Sequence, residues 1–185
     1  SGSGKSTVAK CITRLLDVTQ GEIRLHGQRI EHLKGTARRH IYRDVQMVFQ
    51  SPVGSFDHRR TLGHGICESL RNFGVGPQEA QAQADALLAQ CGLSAEFARR
   101  YPFEVSGGQC QRAAIARALA IKPKILICDE ATSSLDVTVQ AQVIDLLRKL
   151  KNAHGMSYLF ICHDLALVQD FCDRVLVLHE GKVVE

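Results

Sequence analysis

The chain has 185 residues, 45% hydrophobic and 23% charged, enough apolar content for a buried core and far from the composition of a disordered or collagen-like protein. Its formal net charge of +4 is too small an excess to imply nucleic acid binding, and no apolar run approaches the roughly 18 to 20 residues that cross a bilayer. Seven cysteines, an odd number with no C-x-x-C pair, argue against a disulfide framework and a zinc site and read as reduced, cytosolic thiols.

The chain opens on a glycine-rich motif, SGSGKST at 1–7, with no strand ahead of it and no signal-peptide layout, and so reads as truncated at its N-terminus. Residues 21–27 (GEIRLHG) alternate at Ile23 and Leu25 as a short strand, and VFQ at 48–50 ends a second strand-like run over 45–50. The basic stretch between them, with Arg38, Arg39 and Arg43, reads as a solvated connection. From Leu62 to Ile121 the period becomes helical. Ala80, Ala84, Leu87, Leu88 and Cys91 share one face, and an Ala-rich helix is expected over 109–120, so this stretch forms an all-helical lobe. Three apolar runs follow, 125–128, 158–162 and 175–179, whose continuous hydrophobicity predicts strands of a parallel sheet buried on both faces. Between the first two, Val139, Val143, Leu146, Leu147 and Leu150 lie on one helical face, completing a strand-helix-strand crossover. The linker-like stretches are 51–60 and 73–78.

Three motifs carry chemistry. Gly4, Lys5 and Ser6 fill the last places of the phosphate-loop pattern G-x-x-x-x-G-K-[ST]. Glycines there let backbone N–H groups curl around phosphate oxygens, Lys5 adds a cation, and Ser6 offers a hydroxyl to Mg²⁺, with a helix from Thr7 aiming its positive end at the anion. Asp129 and Glu130 end the strand ILIC at the carboxyl edge of the sheet, where open α/β sheets bind ligands; Asp129 suits support of a metal and Glu130 a general base. One crossover later, His163 ends the next strand beside the same edge. Finally, VSGGQCQR at 105–112 places Ser106, Gly107 and Gly108 at the start of a helix, a second phosphate-type site in one chain.

The SGGQ at 106–109 resembles the signature motif of ATP-binding cassette (ABC) ATPases. It falls in the family's order among SGSGKST, Gln50 in VFQSP, ICDEATSSLD and His163, over almost the whole chain. EATSSLDVTVQAQV, VFQSP and RYPFEVSGGQ most resemble the bacterial importer subunits that serve oligopeptides, dipeptides and nickel.

The resemblance implies an α/β P-loop NTPase (RecA-like) fold, a mostly parallel sheet with helices on both faces and an inserted α-helical subdomain. On that basis 1–185 is a single ABC ATPase domain, with 1–50 and 122–185 as catalytic core and 51–121 as the Gln50-loop region and helical subdomain. It implies ATP and Mg²⁺ as ligands. Ser1, Gly2, Ser3, Gly4, Lys5, Ser6 and Thr7 would hold phosphate, with Ser6, Gln50 and Asp129 on the metal. Glu130 would be the catalytic base, and Gln50 and His163 would attend the γ-phosphate. Ser106, Gly107, Gly108 and Gln109 would serve the ATP of a second ABC subunit paired head to tail, as a homodimer or heterodimer, with Ser133 to Asp136 crossing the seam. The implied partners include integral membrane permease subunits received around Gln50 and the helical lobe, where changes at Phe56 or Asp57 would uncouple transport from hydrolysis. The implied location is peripheral, on the cytoplasmic side of the bacterial inner membrane.

Three departures bear on this resemblance. The upstream aromatic that stacks on adenine and the loop's first glycine are absent, Cys110 follows the signature as inert packing, and Asp57 and His58 replace an Asn-Pro-Arg-like run. Two other classes compete with the importer ATPase: a soluble or non-hydrolysing nucleotide-binding module, and a P-loop kinase, which gives SGGQ no role.

Overall fold

The computed structural model describes residues 2–133 and 135–185. The chain begins with α1 (Lys5–Ile12) and a small antiparallel hairpin of β1 (Arg24–Leu25) and β2 (Gln28–Arg29). His26 and Gly27 between them have φ of 51° and 78°, the two positive values that a type I′ hairpin turn requires. The strand expected over 21–27 is therefore confined to two residues, because the chain reverses at its end. The basic connection that follows is not a loop. It contains the helix α2 (Arg38–Asp44), which buries Ile41 and leaves Arg39 and Arg43 exposed. One buried apolar residue in a seven-residue helix gives no readable period. β3 (Val45–Val48) follows directly and stops two residues short of Gln50.

The helical lobe appears as expected, in α3 (Leu62–Asn72), α4 (Pro77–Gln90) and α5 (Gly107–Leu119), which pack on one another. Thr61 caps α3 by accepting from the His64 N–H, and Pro77 starts α4 at the position where a missing N–H costs nothing. Ala80, Ala84 and Leu88 of α4 are fully buried, with Ile66 and Leu62 of α3 and Cys110, Ala113, Ile115 and Ala116 of α5.

Beyond α5 the chain forms β4 (Ile125–Asp129), α6 (Val137–His154) and β5 (Ser157–Ile161). β3, β4 and β5 make one parallel sheet in the order β3-β4-β5, with Val48 opposite Cys128 and Asp129 opposite Ile161. Leu126 and Cys128 of β4 point into the core shared with α5 and α6, while Ile127 joins Ala9 of α1 and Ile41 of α2 on the other side. The sheet thus carries helices on both faces, the doubly wound arrangement. α6 starts at Asp136, whose carboxylate accepts from the Val139 N–H at 3.0 Å, and ends at Gly155 with φ of 61°.

The third predicted sheet strand does not join the sheet. After α7 (Leu165–Phe171), residues 175–177 are exposed, at 49%, 67% and 37%, and only β6 (Leu178–His179) is a strand, paired antiparallel with β7 (Lys182–Val183). Glu180 and Gly181 between them have φ of 46° and 77°, a second type I′ reversal. Val177 donates to the Glu185 carbonyl and accepts from the Val184 N–H, so this run spends its backbone on its own neighbour in sequence.

Candidate nucleotide site

The carboxyl edge of the sheet gathers the side chains of one site. Gly4 is the N-cap of α1 with φ of 90° and no side-chain cap, and Gly2 has φ of 87°. Both take the left-handed conformation that glycine adopts without strain, and a Cβ at either would meet open space within 4 Å. The first helical bond runs from the Val8 N–H to the Gly4 carbonyl, so the amides of Lys5, Ser6 and Thr7 have no partner among the described residues. These donors, the helix dipole and the charge of Lys5 favour an anion at the start of α1. Ser1 lies outside the described residues. The side chains of Ser3 and Thr7, at the rim of this loop, make no hydrogen bond among the described residues.

The Ser6 hydroxyl donates to Asp129 Oδ1 at 2.8 Å, joining the phosphate loop to the end of β4. Asp129 is 5% exposed and is the last strand residue. The next residue turns away from the strand: Glu130 has φ of 47°, and its N–H donates to the Ile161 carbonyl of β5 at 2.9 Å. That left-handed residue aims the carboxylate outward, where Glu130 Oε2 accepts from Gln50 Nε2 at 2.8 Å. His163 Nδ1 stands 4.0 Å from Glu130 Oε1, with its ring largely exposed. Ser6, Asp129, Glu130 and His163, expected from their motifs, and Gln50, expected from the family resemblance, thus meet at one edge, with Lys5 next to Ser6 at the start of α1. The direct bond between Gln50 and Glu130 had no signal in the sequence, since 80 positions separate them.

The donor set suits Mg²⁺: a hydroxyl, a carboxylate and an amide are hard oxygen ligands. No cluster of three or more His, Cys, Asp or Glu side chains that could hold a metal occurs among the described residues.

The 106–109 segment is built as a second anion-type helix start. Ser106 Oγ accepts from the Gln109 N–H at 3.3 Å and Gln109 Oε1 accepts from the Ser106 N–H at 2.9 Å, a reciprocal capping box. The first bond of α5 is from Cys110 to Ser106, leaving the Gly107 and Gly108 amides without partners among the described residues. No hydrogen bond or ion pair among those residues links this segment to the Glu130 cluster. It lies instead against the start of α6, near Leu135 and Val139. Cys110 is fully buried, and burial pushes its thiol up to about 11, consistent with a packing role.

Residues 1–133 match the ABC transporter family. The chain is 48% identical, over its whole length, to the glutathione import ATP-binding protein GsiA of Pectobacterium atrosepticum, of which it spans 30%. It is 49% identical to a protein of Brucella abortus named for peptide import and ATP binding, of which it spans 56%. Its fold superposes over its full length, with a TM-score of 0.88 and 30% identity, on 80% of the chain of the ATP-binding cassette MJ0796 in a dimeric post-hydrolysis state bound to ADP and Pi. The chain thus spans under a third to about half the length of these import relatives and most of a solved cassette. No helix among the described residues is long and apolar enough to cross a membrane. A P-loop NTPase fold, a glycine loop bonded to the Asp129-Glu130 strand end and a capped SGGQ helix agree with these likenesses, and the chain belongs to the ABC transporter family.

Proposed function

We propose that this chain binds ATP with Mg²⁺ and hydrolyses it, as the energising part of an importer for peptide-class cargo. The observation that carries this reading is the Glu130 carboxylate at the end of β4, held by Gln50 and adjacent to the Asp129 that Ser6 contacts. The backbone amides after Gly4 and the Lys5 ammonium bind the phosphate oxygens. Mg²⁺, held by Ser6 and Asp129 with Gln50 alongside, would neutralise charge on the phosphates. The Gln50 amide restricts the Glu130 carboxylate to one orientation. Glu130 then accepts a proton from the water that attacks the γ-phosphorus, as the bond from that phosphorus to the β,γ-bridging oxygen breaks. His163 presents its ring nitrogen from the next strand end to a γ-phosphate oxygen.

Ser106, Gly107, Gly108 and Gln109 serve the nucleotide of a second cassette, so two chains pair head to tail. The chain acts as one ATPase domain, with 1–50 and 122–185 as its core and 51–121 as the lobe that meets permease subunits at the cytoplasmic face of the inner membrane. The names of the import relatives support peptide-class cargo and give nickel no support.

Phosphate release from Mg-ATP by the wild type and by Glu130→Gln tests the reading. Loss of the base slows turnover by at least about a hundredfold while nucleotide binding persists. Equal turnover in the two proteins refutes it, and binding without turnover in the wild type identifies a non-hydrolysing module instead.

A further inference from the structure

Beyond Gln50 the chain makes a tight turn with its own internal bonds. Ser55 N–H donates to the Pro52 carbonyl at 3.1 Å, Phe56 N–H to the Val53 carbonyl at 3.3 Å, and the Ser55 hydroxyl to the Pro52 carbonyl at 2.7 Å. Phe56 closes this turn and is 5% exposed. The Cδ1–Cε1 edge of its ring meets α3 at Gly65, where a Cβ would stand 2.9 Å from Phe56 Cδ1. Only glycine lets the ring sit there.

The guanidinium of Arg117 covers the ring of Phe56 with its central carbon 4.3 Å from the ring centroid, and Arg117 Nη1 donates to the Ser55 carbonyl. Burial pushes this arginine's pKa down, and the side chain forms no ion pair among the described residues. Arg117 keeps part of its surface in water and the nearby Glu68 carboxylate favours its charge, so the guanidinium stays a cation while it holds the carbonyl and the aromatic face together. Arg117 lies on α5, about 15 Å along the axis from Gly107 at ~1.5 Å per residue.

We propose that Arg117 is a positioning residue that clamps the Gln50 turn to the helix carrying Ser106–Gln109, so that the chain's two phosphate-facing ends move as one body. The proposal rests on the nucleotide reading above. A shift of Gln50 toward phosphate draws the 51–56 turn, the turn draws Arg117, and α5 carries the displacement to its N-terminus. Nothing in the sequence marked Arg117, because its partners are 62 positions away and its neighbours are ordinary helix formers.

Arg117→Met, Arg117→Lys, Phe56→Leu and the Arg117→Met/Phe56→Leu double variant test the clamp by amide hydrogen exchange and by MgATP kinetics. In Arg117→Met the Ser55 and Phe56 amides exchange at least about tenfold faster while the protection of β4 is unchanged. kcat falls at least about tenfold with nucleotide affinity within about twofold, and the double variant is no worse than about twofold beyond the single one. Arg117→Lys recovers part of both losses, since it keeps the charge but not the planar fork. Gly65→Ala, which displaces Phe56 and leaves Arg117 in place, repeats the exchange result if Arg117→Met does not fold. Unchanged exchange at Ser55 and Phe56, or losses of kcat and affinity in equal proportion, overturns the clamp. If the wild type releases no phosphate the functional reading fails, and the exchange measurement alone then decides the clamp.

Discussion

Gly108 stands where two demands meet, and Gly108→Ala separates them. A Cβ there would lie closer than 3.0 Å to Val139 Cγ1, against the ~3.5 to 4.0 Å of ordinary carbon contact. Val139 cannot swing aside cheaply, because a β-branched side chain in a helix has one strongly preferred rotamer and α6 is anchored beside it by the Asp136 cap. Overpacking of this kind costs about 1 to 3 kcal/mol. Alanine in place of glycine in a helix returns up to about 1 kcal/mol. The expected net effect is a destabilisation of about 1 to 2 kcal/mol, read as a lower urea midpoint at constant m-value. Val139→Ala removes the obstructing methyl. In that background Gly108→Ala becomes neutral or stabilising by up to about 1 kcal/mol, a coupling of about 1 to 3 kcal/mol between the two positions. If Gly108→Ala unfolds at the wild-type midpoint, or keeps its full penalty when Val139 is alanine, then packing on α6 is not why glycine occupies this place, and access of a phosphate to the backbone is left as its reason.

Two further expectations concern protons. Burial alone would raise the carboxyl of Glu31, but the backbone and Arg29 donors, with the Ile23 N–H among them, outweigh it and hold the group down at about 2 from an ordinary 4.5. A depressed folded-state pKa contributes stability above the unfolded value and loses it as pH falls. The stability gap between the wild type and Glu31→Gln in urea unfolding is therefore full above about pH 4.5 and narrows toward pH 2; a constant gap across that range contradicts the assignment. Burial also pushes the thiols of Cys91 and Cys128 up to about 12 and that of Cys110 up to about 11. Brief alkylation of the native protein at pH 8, mapped by mass spectrometry, leaves these three unmodified until denaturant is added. Early labelling of Cys110 would mean that the start of α5 opens.

What the sequence made legible depended on whether the deciding interaction was local. α4 was readable because Ala80, Ala84 and Leu88 repeat at the helical period and bury together. β4 was readable because ILIC is apolar on both faces and ends in two carboxylates, and Ser6 does reach the first of them. Residues 175–177 failed the same test. An apolar run reports that a segment would prefer burial, whereas the short reversal at Glu180-Gly181 decided which backbone it met. The same kind of reversal, at His26-Gly27, cuts the first hairpin strand to two residues. The bond from Gln50 to Glu130 and the cover of Arg117 over Phe56 were beyond reach, since each joins positions 60 to 80 residues apart without a charge pair to suggest it.

The arrangement of free backbone donors supplies the physical reason for the proposed head-to-tail pair. The amides of Lys5, Ser6 and Thr7, without partners among the described residues, begin the helix whose Ser6 bonds to Asp129, next to Glu130, so in the proposed reading phosphate donors, a cation and a base share one edge of the sheet. The amides of Gly107 and Gly108 are equally free, yet the chain brings no base, metal-type donor or unpaired cation to them through any hydrogen bond or ion pair among the described residues. A helix start whose serine and glutamine oxygens accept within a capping box, and which still leaves their donors and two glycine amides open, is suited to an anion that arrives with its chemistry already assembled. A phosphate held by the Lys5 loop of a second chain is such an anion. A charge introduced at the N-cap itself separates this from a purely structural cap. Ser106→Asp keeps a capping oxygen and the helix, but places a negative charge where the partner's phosphate would sit. Pairing through that phosphate requires ATP-dependent dimerisation by sedimentation to be lost while the urea midpoint is kept; dimerisation that survives the added charge assigns the open amides to water.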